Sequence, residues 1–314
     1  MADDIAGCPV SLVRWSRRST YNLSDELKEK GIQASPNSVG NILKENKFSL
    51  KSNRKCISET QHPDRNRQFE IIAETKKRFS DAGMPIISVD SKKKELIGNF
   101  KNPGKNWRKE YEKVNNHEFR SQAIGIASPY GIFEPVYNIG TVFLGASYDT
   151  AEFAVDCIDQ WFIDYAQKRY DNIKELLILC DGGGSNSVKG RLWKNELCHF
   201  SQKHGVTTRV CHYPPGTSKW NPVEHRLFGP ITANWQGRPL RSFEIALECI
   251  RATTTKKGLR VDAVLTDKNY EKGIKIPDEQ MELITRNLIR HDEFPQWNYS
   301  LVPDSASQNG QNAN

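Results

Sequence analysis

The sequence predicts an α/β fold, a mixed β-sheet with helices on both faces, preceded by a small N-terminal helical region. The clearest strand is residues 176–180, an unbroken apolar run that is too short for a helix and ends at Asp181 and three glycines. A strand that is apolar on both faces is covered on both sides, as in a layered α/β domain. The predicted order of strand, hairpin, helix, strand, helix, strand and helix indicates the same fold class.

Length and composition argue against a membrane-spanning or a disulfide-rich protein. The chain has 314 residues, 26% of them charged, and a mean hydropathy of −0.66. No apolar run approaches a membrane span, and the first residues lack the basic and apolar parts of a signal peptide. The seven cysteines include no C-x-x-C pair. We therefore expect a soluble cytoplasmic protein with one large domain and smaller appendages.

The positive charge is concentrated in two segments. The net charge is +7, and residues 1–80 hold 15 Lys and Arg against 10 Asp and Glu, while residues 92–120 hold 9 against 4. A solvated basic surface is the simplest explanation. The alternative is that both segments border a polyanion, because neutralisation of phosphates by Lys and Arg is the main sequence-independent contribution to nucleic-acid affinity.

Two short helices, followed by a polar linker at residues 51–62, are predicted within an N-terminal region that we assign to residues 1–61. The first covers residues 22–30, and the second has Ser35 as its N-cap and Pro36 as its first residue. Two helices joined by a tight turn are typical of a helix-turn-helix, although such hairpins are also ordinary packing units. The polar residues expected on the outer face of the second helix, where they would meet a DNA groove, include Asn37, Asn41 and Lys44.

The first carboxylate at a predicted strand end is Asp90. A helix is predicted from His62 through Phe79, and an apolar strand over residues 84–90 follows it. Residues 91–104 then read as a flexible basic insertion. The strand repeats the pattern of residues 176–181, in which an apolar run ends in one carboxylate.

A hairpin and a helix are predicted before the central strand. The hairpin pairs residues 122–127 with 132–137, with residues 128–131 as its turn. The helix begins at a capping box formed by Asp149 and Glu152.

The third carboxylate at the edge of the predicted sheet is Glu224. A strand over residues 207–213 ends at Pro-Pro-Gly, and Asn221 is predicted to cap a helix that has Glu224 at its third position. A role in capping the helix would by itself explain a glutamate at this position. Its place directly after a third strand, matching Asp90 and Asp181, favours a functional role instead.

The Asp181 loop allows either phosphate binding by the glycines or metal binding by the carboxylate. Residues 182–191 contain neither G-x-x-x-x-G-K-[ST] nor G-x-G-x-x-G, which argues against phosphate binding. Carboxylates that are brought together repel unless a cation intervenes. Two Mg²⁺ or Mn²⁺ ions, about 3.5–4 Å apart, would suit these oxygen ligands and promote an in-line displacement at phosphorus. We therefore expect Asp90, Asp181 and Glu224 to be catalytic residues and metal ligands.

The blocks around these carboxylates resemble a bacterial insertion-sequence transposase family, the Rhodopirellula-type transposases of the DDE group. The main blocks are residues 88–95, 180–186 and 214–226, and further similarity covers residues 151–155, 191–194, 258–261 and 297–299. The third block is also similar to that of mariner-like transposases. The similarity therefore extends over nearly the whole chain.

The resemblance implies a ribonuclease-H-like catalytic domain, which we place at residues 62–240. It implies Mg²⁺ held by the three carboxylates, and double-stranded DNA as the partner, both transposon inverted repeats and target DNA. Cleavage at the transposon ends would be followed by strand transfer, carried out by a homo-oligomer on DNA. Residues 241–300 are expected to form a packed extension, and residues 301–314 a disordered tail.

Two alternatives to a transposase remain at this point. One is a nuclease of the same fold that cannot transfer strands. The other is a DNA-binding remnant, because members of the family carry further residues ahead of the two N-terminal helices, and this chain is expected to be an N-terminally shortened copy.

Several other residues have both a functional and an ordinary explanation. Basic residues near the carboxylates are candidate DNA contacts but would equally suit a solvated surface: Lys92, Lys93, Lys94, Lys219 and Arg226. Trp220 and Trp235 are expected to pack in the core rather than to stack on a base. The Cys-His pairs at residues 198–199 and 211–212 lack the spacing of a zinc site.

Overall fold

The computed structural model describes residues 6–7, 14–15, 18–51 and 62–304. The chain forms two compact units, residues 1–57 and residues 58–314. Most of the predicted linker, at residues 52–61, and the predicted tail beyond residue 304 lie outside the described residues. Within the described ranges, no helix is both long enough and apolar enough to cross a membrane.

The first unit contains the two predicted N-terminal helices. The short strands β1 (Ala6–Gly7) and β2 (Arg14–Trp15) pair ahead of α1 (Thr20–Glu29) and α2 (Pro36–Glu45). The Ser35 hydroxyl accepts a hydrogen bond from the backbone N–H of Ser38, which makes it the predicted N-cap of α2. The helices pack through Leu23 and Val39, which are buried. This confirms the small helical region.

The second unit is one nine-stranded sheet with helices on both faces. Its strands are β3 (Ile86–Ser91), β4 (Glu95–Ile97), β5 (Gly125–Glu134), β6 (Ile139–Gly145), β7 (Glu175–Cys180), β8 (Thr207–His212), β9 (Arg260–Thr266), β10 (Leu288–Arg290) and β11 (Asn298–Leu301). Its helices are α3 (Arg65–Asp81), α4 (Ala151–Trp161), α5 (Gln167–Arg169), α6 (Arg191–His204), α7 (Gly229–Trp235), α8 (Phe243–Arg251) and α9 (Asp278–Asn287).

The strand order of the sheet defines the fold. The path is β10-β11-β8-β7-β3-β5-β6-β9, and β4 pairs with β5 outside it. At its centre, β3 runs antiparallel to β5 and β5 to β6, whereas β3, β7 and β8 are mutually parallel. In chain order these five strands lie as 3-2-1-4-5 with only the second reversed, which is the ribonuclease-H-like arrangement. The expected fold class is therefore confirmed.

Apolar residues from both faces of β7 hold this sheet between its helices. Leu176 and Ile178 pack in one core cluster with α4 and α6, while Leu177 and Leu179 pack in another with α3. All four side chains are fully buried. Such burial contributes about 1.5–3 kcal/mol per side chain. The strand that the apolar run predicts is thus the central strand of the sheet.

The predicted hairpin is wrong in its turn and in its second strand. β5 runs without a break through residues 128–131, which were expected to turn, and it pairs with β6, which was not predicted. On one side of β5, Tyr130 pairs with the end of β3 and Ala127 with the start of β4. Pro129 is tolerated in this inner strand because it faces the gap between those two partners, where no backbone N–H is needed. Its carbonyl oxygen still accepts a hydrogen bond from the N–H of Lys92.

The segment beyond residue 240 supplies both ends of the sheet. β9 adds in parallel to β6 at one end, and β11 adds in antiparallel to β8 at the other. The boundary expected at residue 240 therefore falls inside the second unit.

Candidate active site

The register of the two central parallel strands brings Asp90 and Asp181 together. Val89 of β3 pairs with Cys180 of β7, so the next residue of each strand is one of the two predicted acids. The carboxyl ends of parallel strands are the usual place for function in open α/β sheets, because loops gather there on a rigid support. Both carboxylates line a cleft of about 590 Å³ at this edge.

Glu224 reaches the same edge from the helix that follows β8. This helix covers residues 222–235 and contains a π turn at Glu224–Phe228. The Glu224 side chain lies within hydrogen-bonding reach of the Asp90 carboxyl. Single π turns inside α-helices are frequent at functional sites, because they shift the direction of the side chains at that point. The structure thus places the other two predicted acids, Asp181 and Glu224, beside Asp90.

Burial raises the pKa of both aspartates, and the charge of Asp181 adds to this effect at Asp90. Burial, followed by the negative charge of Asp181, raises the pKa of Asp90 to about 8, and its hydrogen bond with Glu224 acts in the same direction. Burial also raises the pKa of Asp181, although hydrogen bonds from Ser218 and Asn221 favour its ionised form. Carboxylates held in this way are stabilised by a nearby positive charge.

Asn221 connects the three segments that carry the acids. Its side-chain amide donates to the backbone carbonyl of Val89 and to Asp181 Oδ1, both at 3.2 Å. Its Oδ1 accepts a hydrogen bond from the Ser88 hydroxyl, whose oxygen in turn accepts the N–H of Val223 at 3.1 Å. Asn221 and Ser88 are fully buried.

The structure therefore changes the interpretation of the third block. Asn221 was predicted to cap the helix of Glu224, but its side chain holds β3 and Asp181 instead. Sequence reasoning missed this role and that of Ser88. The sequence offered only an asparagine three residues before a candidate acid. That spacing suits a helix cap as well as it suits a side chain that links two segments.

A fourth acid borders the cleft. Asp149 was expected to cap α4, but that cap is Thr150, whose hydroxyl accepts the N–H of Phe153. Asp149 instead accepts a hydrogen bond from Ser91 at 2.9 Å, and both residues line the cleft.

The glycine loop forms one wall of the cleft. Gly182, Gly183 and Gly184 are exposed lining residues, and only Gly184, with φ +60°, needs the left-handed conformation. A Cβ at Gly183 would meet no atom within 4 Å, whereas one at Gly182 would lie 2.9 Å from Val188 Cγ2. The loop thus leaves open space beside Asp181.

The carboxylate oxygens of Asp90, Asp181 and Glu224 are of the type that binds a hard divalent cation, and they stand in an open arrangement. Carboxylate oxygens are the ligands that Mg²⁺ and Mn²⁺ prefer, and a cation beside Asp90 would offset the burial and the neighbouring charge that raise its pKa. Within the described residues, however, no group of three or more His, Cys, Asp and Glu side chains is already placed to hold a metal ion. The hydrogen bond between Asp90 and Glu224 occupies oxygens that a cation would use.

The basic residues near the carboxylates differ in their availability. Lys92 turns inward, with its Nζ 2.5 Å from Glu95 and 4.6 Å from the ring centroid of Trp235. Lys93 and Lys94 are exposed and line a second cleft. Lys92 is thus the least available of the three lysines to a phosphate.

The remaining predicted contacts of the second unit, Lys219 and Arg226, lie within the third block. Lys219 is exposed with its Nζ 5.7 Å from the ring of Trp220. The packing expectation is wrong for Trp220, which is 54% exposed, whereas Trp235 is buried as expected. Arg226 is exposed and donates to Asn138 at 3.0 Å, at the turn between β5 and β6.

The candidate DNA contacts of α2 belong to the first unit. Asn37, Asn41 and Lys44 are all exposed on this helix, on the face away from the buried Val39. Their position allows groove contact by the first unit.

The cysteine and histidine residues near Asp181 form a buried hydrogen-bond network. His212 lies 3.1 Å from the Asp181 carbonyl oxygen, 3.3 Å from Cys180 Sγ and 3.1 Å from the Tyr299 hydroxyl. Burial lowers the pKa of His212 to about 4, so the ring is neutral near pH 7. Through the hydrogen bond of His212, the network holds the backbone carbonyl of Asp181.

The fold and the strand-end acids define a ribonuclease-H-like protein with a carboxylate site. The family described as the Rhodopirellula transposase DDE domain matches residues 1–303. The chain belongs to this family of mobile-element transposases. No protein with a curated description matches the chain.

Solved structures of Mos1 transposase are similar to this chain. The paired-end complex with the left transposon end has a TM-score of 0.42 at 13% identity, covering 72% of this chain and 63% of that one. The strand transfer complex has a TM-score of 0.43 at 15% identity, with coverages of 77% and 70%. The paired-end complex with Mg has a TM-score of 0.42 at 17% identity, with coverages of 76% and 70%. This chain therefore spans about 63% of the length of the first of these relatives.

Proposed function

We propose that this protein is a DDE transposase that cleaves DNA at transposon inverted-repeat ends and then transfers the freed strand to target DNA. The observation that carries the proposal is the convergence of Asp90, Asp181 and Glu224 at one sheet edge. Membership in a transposase family and the basic surface of the second unit support it. Such a protein would act in the cytoplasm as a homo-oligomer, because two DNA ends must be held together.

Asp90, Asp181 and Glu224 would hold the divalent cations, as Mg²⁺ or Mn²⁺. When bound, a pair of such ions supplies activation of a water or 3′-hydroxyl and stabilisation of the leaving oxygen. Asp181 is positioned for this by Ser218 and Asn221, whose hydrogen bonds favour its ionised form. With a cation present, the carboxylates of Asp90 and Glu224 would give up their mutual hydrogen bond, and both would serve as ligands. The open glycine wall leaves space for the DNA strand beside Asp181.

A labelled-DNA assay tests the proposal. Purified protein is incubated with Mg²⁺ and end-labelled inverted-repeat DNA, and Asp181→Asn is compared with the wild type. We expect cleaved and joined products from the wild type and a loss of at least about a thousandfold in the variant. Cleavage without joined products would identify a nuclease, and binding without either product would identify a DNA-binding remnant.

A further inference from the structure

A basic furrow lies outside the catalytic cleft, along the segment between β3 and β5. It consists of two adjoining hollows of about 680 and 480 Å³, which share Lys101 and Asn102. Much of its lining comes from the segment that the sequence suggested was merely a flexible insertion. The three predicted acids do not line it.

The first hollow carries an excess of unpaired positive charge. Its cations are Lys93, Lys94, Lys101, Arg120 and Lys272, and within the described part of the chain none of them forms an ion pair. Its acids are Glu95 and Glu118, and Glu95 is already paired with Lys92 at 2.5 Å.

The second hollow extends this positive surface. Lys105, Lys109 and Arg108 line it together with two acids, Glu110 and Glu112, and Glu112 is engaged by Arg108 and by Arg241. Positive charge that is not neutralised within the protein favours a phosphodiester backbone.

Exposed aromatic rings accompany the cations. Tyr148 lines the first hollow and is 50% exposed, with Lys272 Nζ 4.4 Å from its ring centroid. Tyr111 lines the second hollow and is 84% exposed, and Trp107, between two of its lining residues, is fully exposed. Rings of this kind stack on bases only where the bases are unpaired, and a basic groove with such rings is typical of single-strand binding.

The furrow begins next to the catalytic cleft. Ser91 and Asp149 line the cleft, while Lys93 and Tyr148, two residues and one residue away in the chain, line the furrow. A strand with a phosphate at Asp90 and Asp181 would therefore pass directly into it.

We propose that the furrow binds an unpaired DNA strand as it leaves the catalytic cleft, with its phosphates on the lysines and Arg120 and with bases stacked on Tyr148 and Tyr111. This inference rests on the proposed function for its substrate. A duplex fits less well, because its bases already stack on one another and leave the exposed rings without a partner.

Binding of fluorescent DNA by the full chain tests the proposal in EDTA, where cleavage does not interfere. The probes are a single strand of about 20 nucleotides and the matching duplex. For Lys101→Ala/Arg120→Ala we expect the salt dependence of single-strand binding, log K against log salt, to become shallower by about 0.7 per cation removed. For Tyr148→Ala we expect single-strand affinity to fall on the order of tenfold, with little change for the duplex.

Lys168→Ala is the matched control, since Lys168 is exposed on α5 outside the furrow. The inference would be overturned if both furrow variants kept the single-strand affinity and salt slope of the wild type. It would also be overturned if they lost affinity equally for duplex and single strand. Cleavage by the wild type on labelled ends is scored separately. Normal cleavage with unaffected furrow variants would leave the proposed function standing, whereas absent cleavage with weakened single-strand binding would support only the furrow.

Discussion

At the scale of single residues, Asp90 is buried beside two other carboxylates, and its pKa is raised to about 8 from an ordinary value of 3.8. A carboxyl with a raised pKa in the folded state stabilises the fold fully below about pH 4, and this contribution is lost as the pH rises through about 8. A cation beside Asp90 would favour its ionised form and so lower this pKa.

Replacing Asp90 with Asn should remove this pH dependence. In EDTA, we expect the thermal midpoint of the wild type to fall between pH 5 and pH 8, and that of Asp90→Asn to exceed it at pH 8 by several degrees. Asp171→Asn serves as the control, because Asp171 is exposed. Equal midpoints for wild type and Asp90→Asn at both pH values would show that Asp90 ionises freely.

Removing the Asn221 side chain should affect activity beyond its cost in stability. We expect Asn221→Ala to lower the free energy of unfolding by about 1–3 kcal/mol, since it leaves buried partners without hydrogen bonds. We also expect DNA cleavage per folded molecule to fall at least about tenfold, because Asp181 loses a positioning contact.

Asn287→Ala is the matched control for Asn221→Ala. Asn287 is also buried and donates to the Val302 carbonyl at 2.9 Å and to Asp304 at 2.8 Å, and it makes no hydrogen bond to Asp90, Asp181 or Glu224. It should lose comparable stability and keep its activity per folded molecule. If both variants lose activity equally, Asn221 has only a structural role.

At the same scale, the sequence predicted the acids better than their supports. Asp90 and Asp181 follow apolar runs, so strand ends identify them directly. Asn221 and Ser88 bond to each other, to Val89 and to Val223 over separations of more than 130 positions, and Asn221 bonds to Asp181 over 40, so no local pattern encodes these contacts.

At the scale of elements, the helix that bears Glu224 packs closely against β5. A Cβ at Gly131, which pairs with Asp90, would overlap Phe228 and lie 3.1 Å from Val223. Both of those side chains are buried and flank Glu224 in the same helix. The glycine is therefore needed for close approach of the helix to the strand.

Adding a methyl group at this contact should displace Glu224. We expect Gly131→Ala to cost about 1–3 kcal/mol of stability and to lower cleavage per folded molecule, because Glu224 moves away from Asp90. Gly229→Ala, in the same helix but exposed, should be neutral or stabilising by about 0.5–1 kcal/mol. Full activity and stability in Gly131→Ala, measured by thermal unfolding and the DNA assay, would show that the contact is not required.

The strands show why secondary-structure elements are harder to predict from the sequence. β7 is apolar on both faces and was recognised from its composition, whereas β5 contains Pro129 and Gly131, which are typical of a turn. Only the gap between β3 and β4 makes that proline acceptable. The short strands β4 and β11 pair with strands distant in the chain, and β10 is a three-residue strand that pairs with β11. Their sequences alone therefore did not identify them.

At the scale of the whole molecule, residues beyond 240 complete the sheet at both ends. One core cluster combines Phe133 and Val142 with residues of α8, such as Leu247 and Ile250, and with Ala263 of β9. Removing that segment would expose the cluster and the edges of two inner strands.

A fragment of residues 62–240 should therefore fail to fold, whereas residues 62–304 should fold. We expect the shorter fragment to lack a cooperative thermal transition by circular dichroism, and the longer one to show the transition of the intact second unit. A cooperative transition in residues 62–240 would show that this segment folds without the extension and would contradict this expectation.

The central claim is that Asp90, Asp181 and Glu224 form one metal site, and anomalous diffraction from crystals soaked in Mn²⁺ measures this most directly. We predict Mn²⁺ peaks within about 2.0–2.3 Å of oxygens of Asp90 and Asp181, with Glu224 turned toward them, and no peak in crystals of Asp181→Asn. Well-ordered crystals without a peak between these carboxylates, or with the ion bound elsewhere, would contradict it.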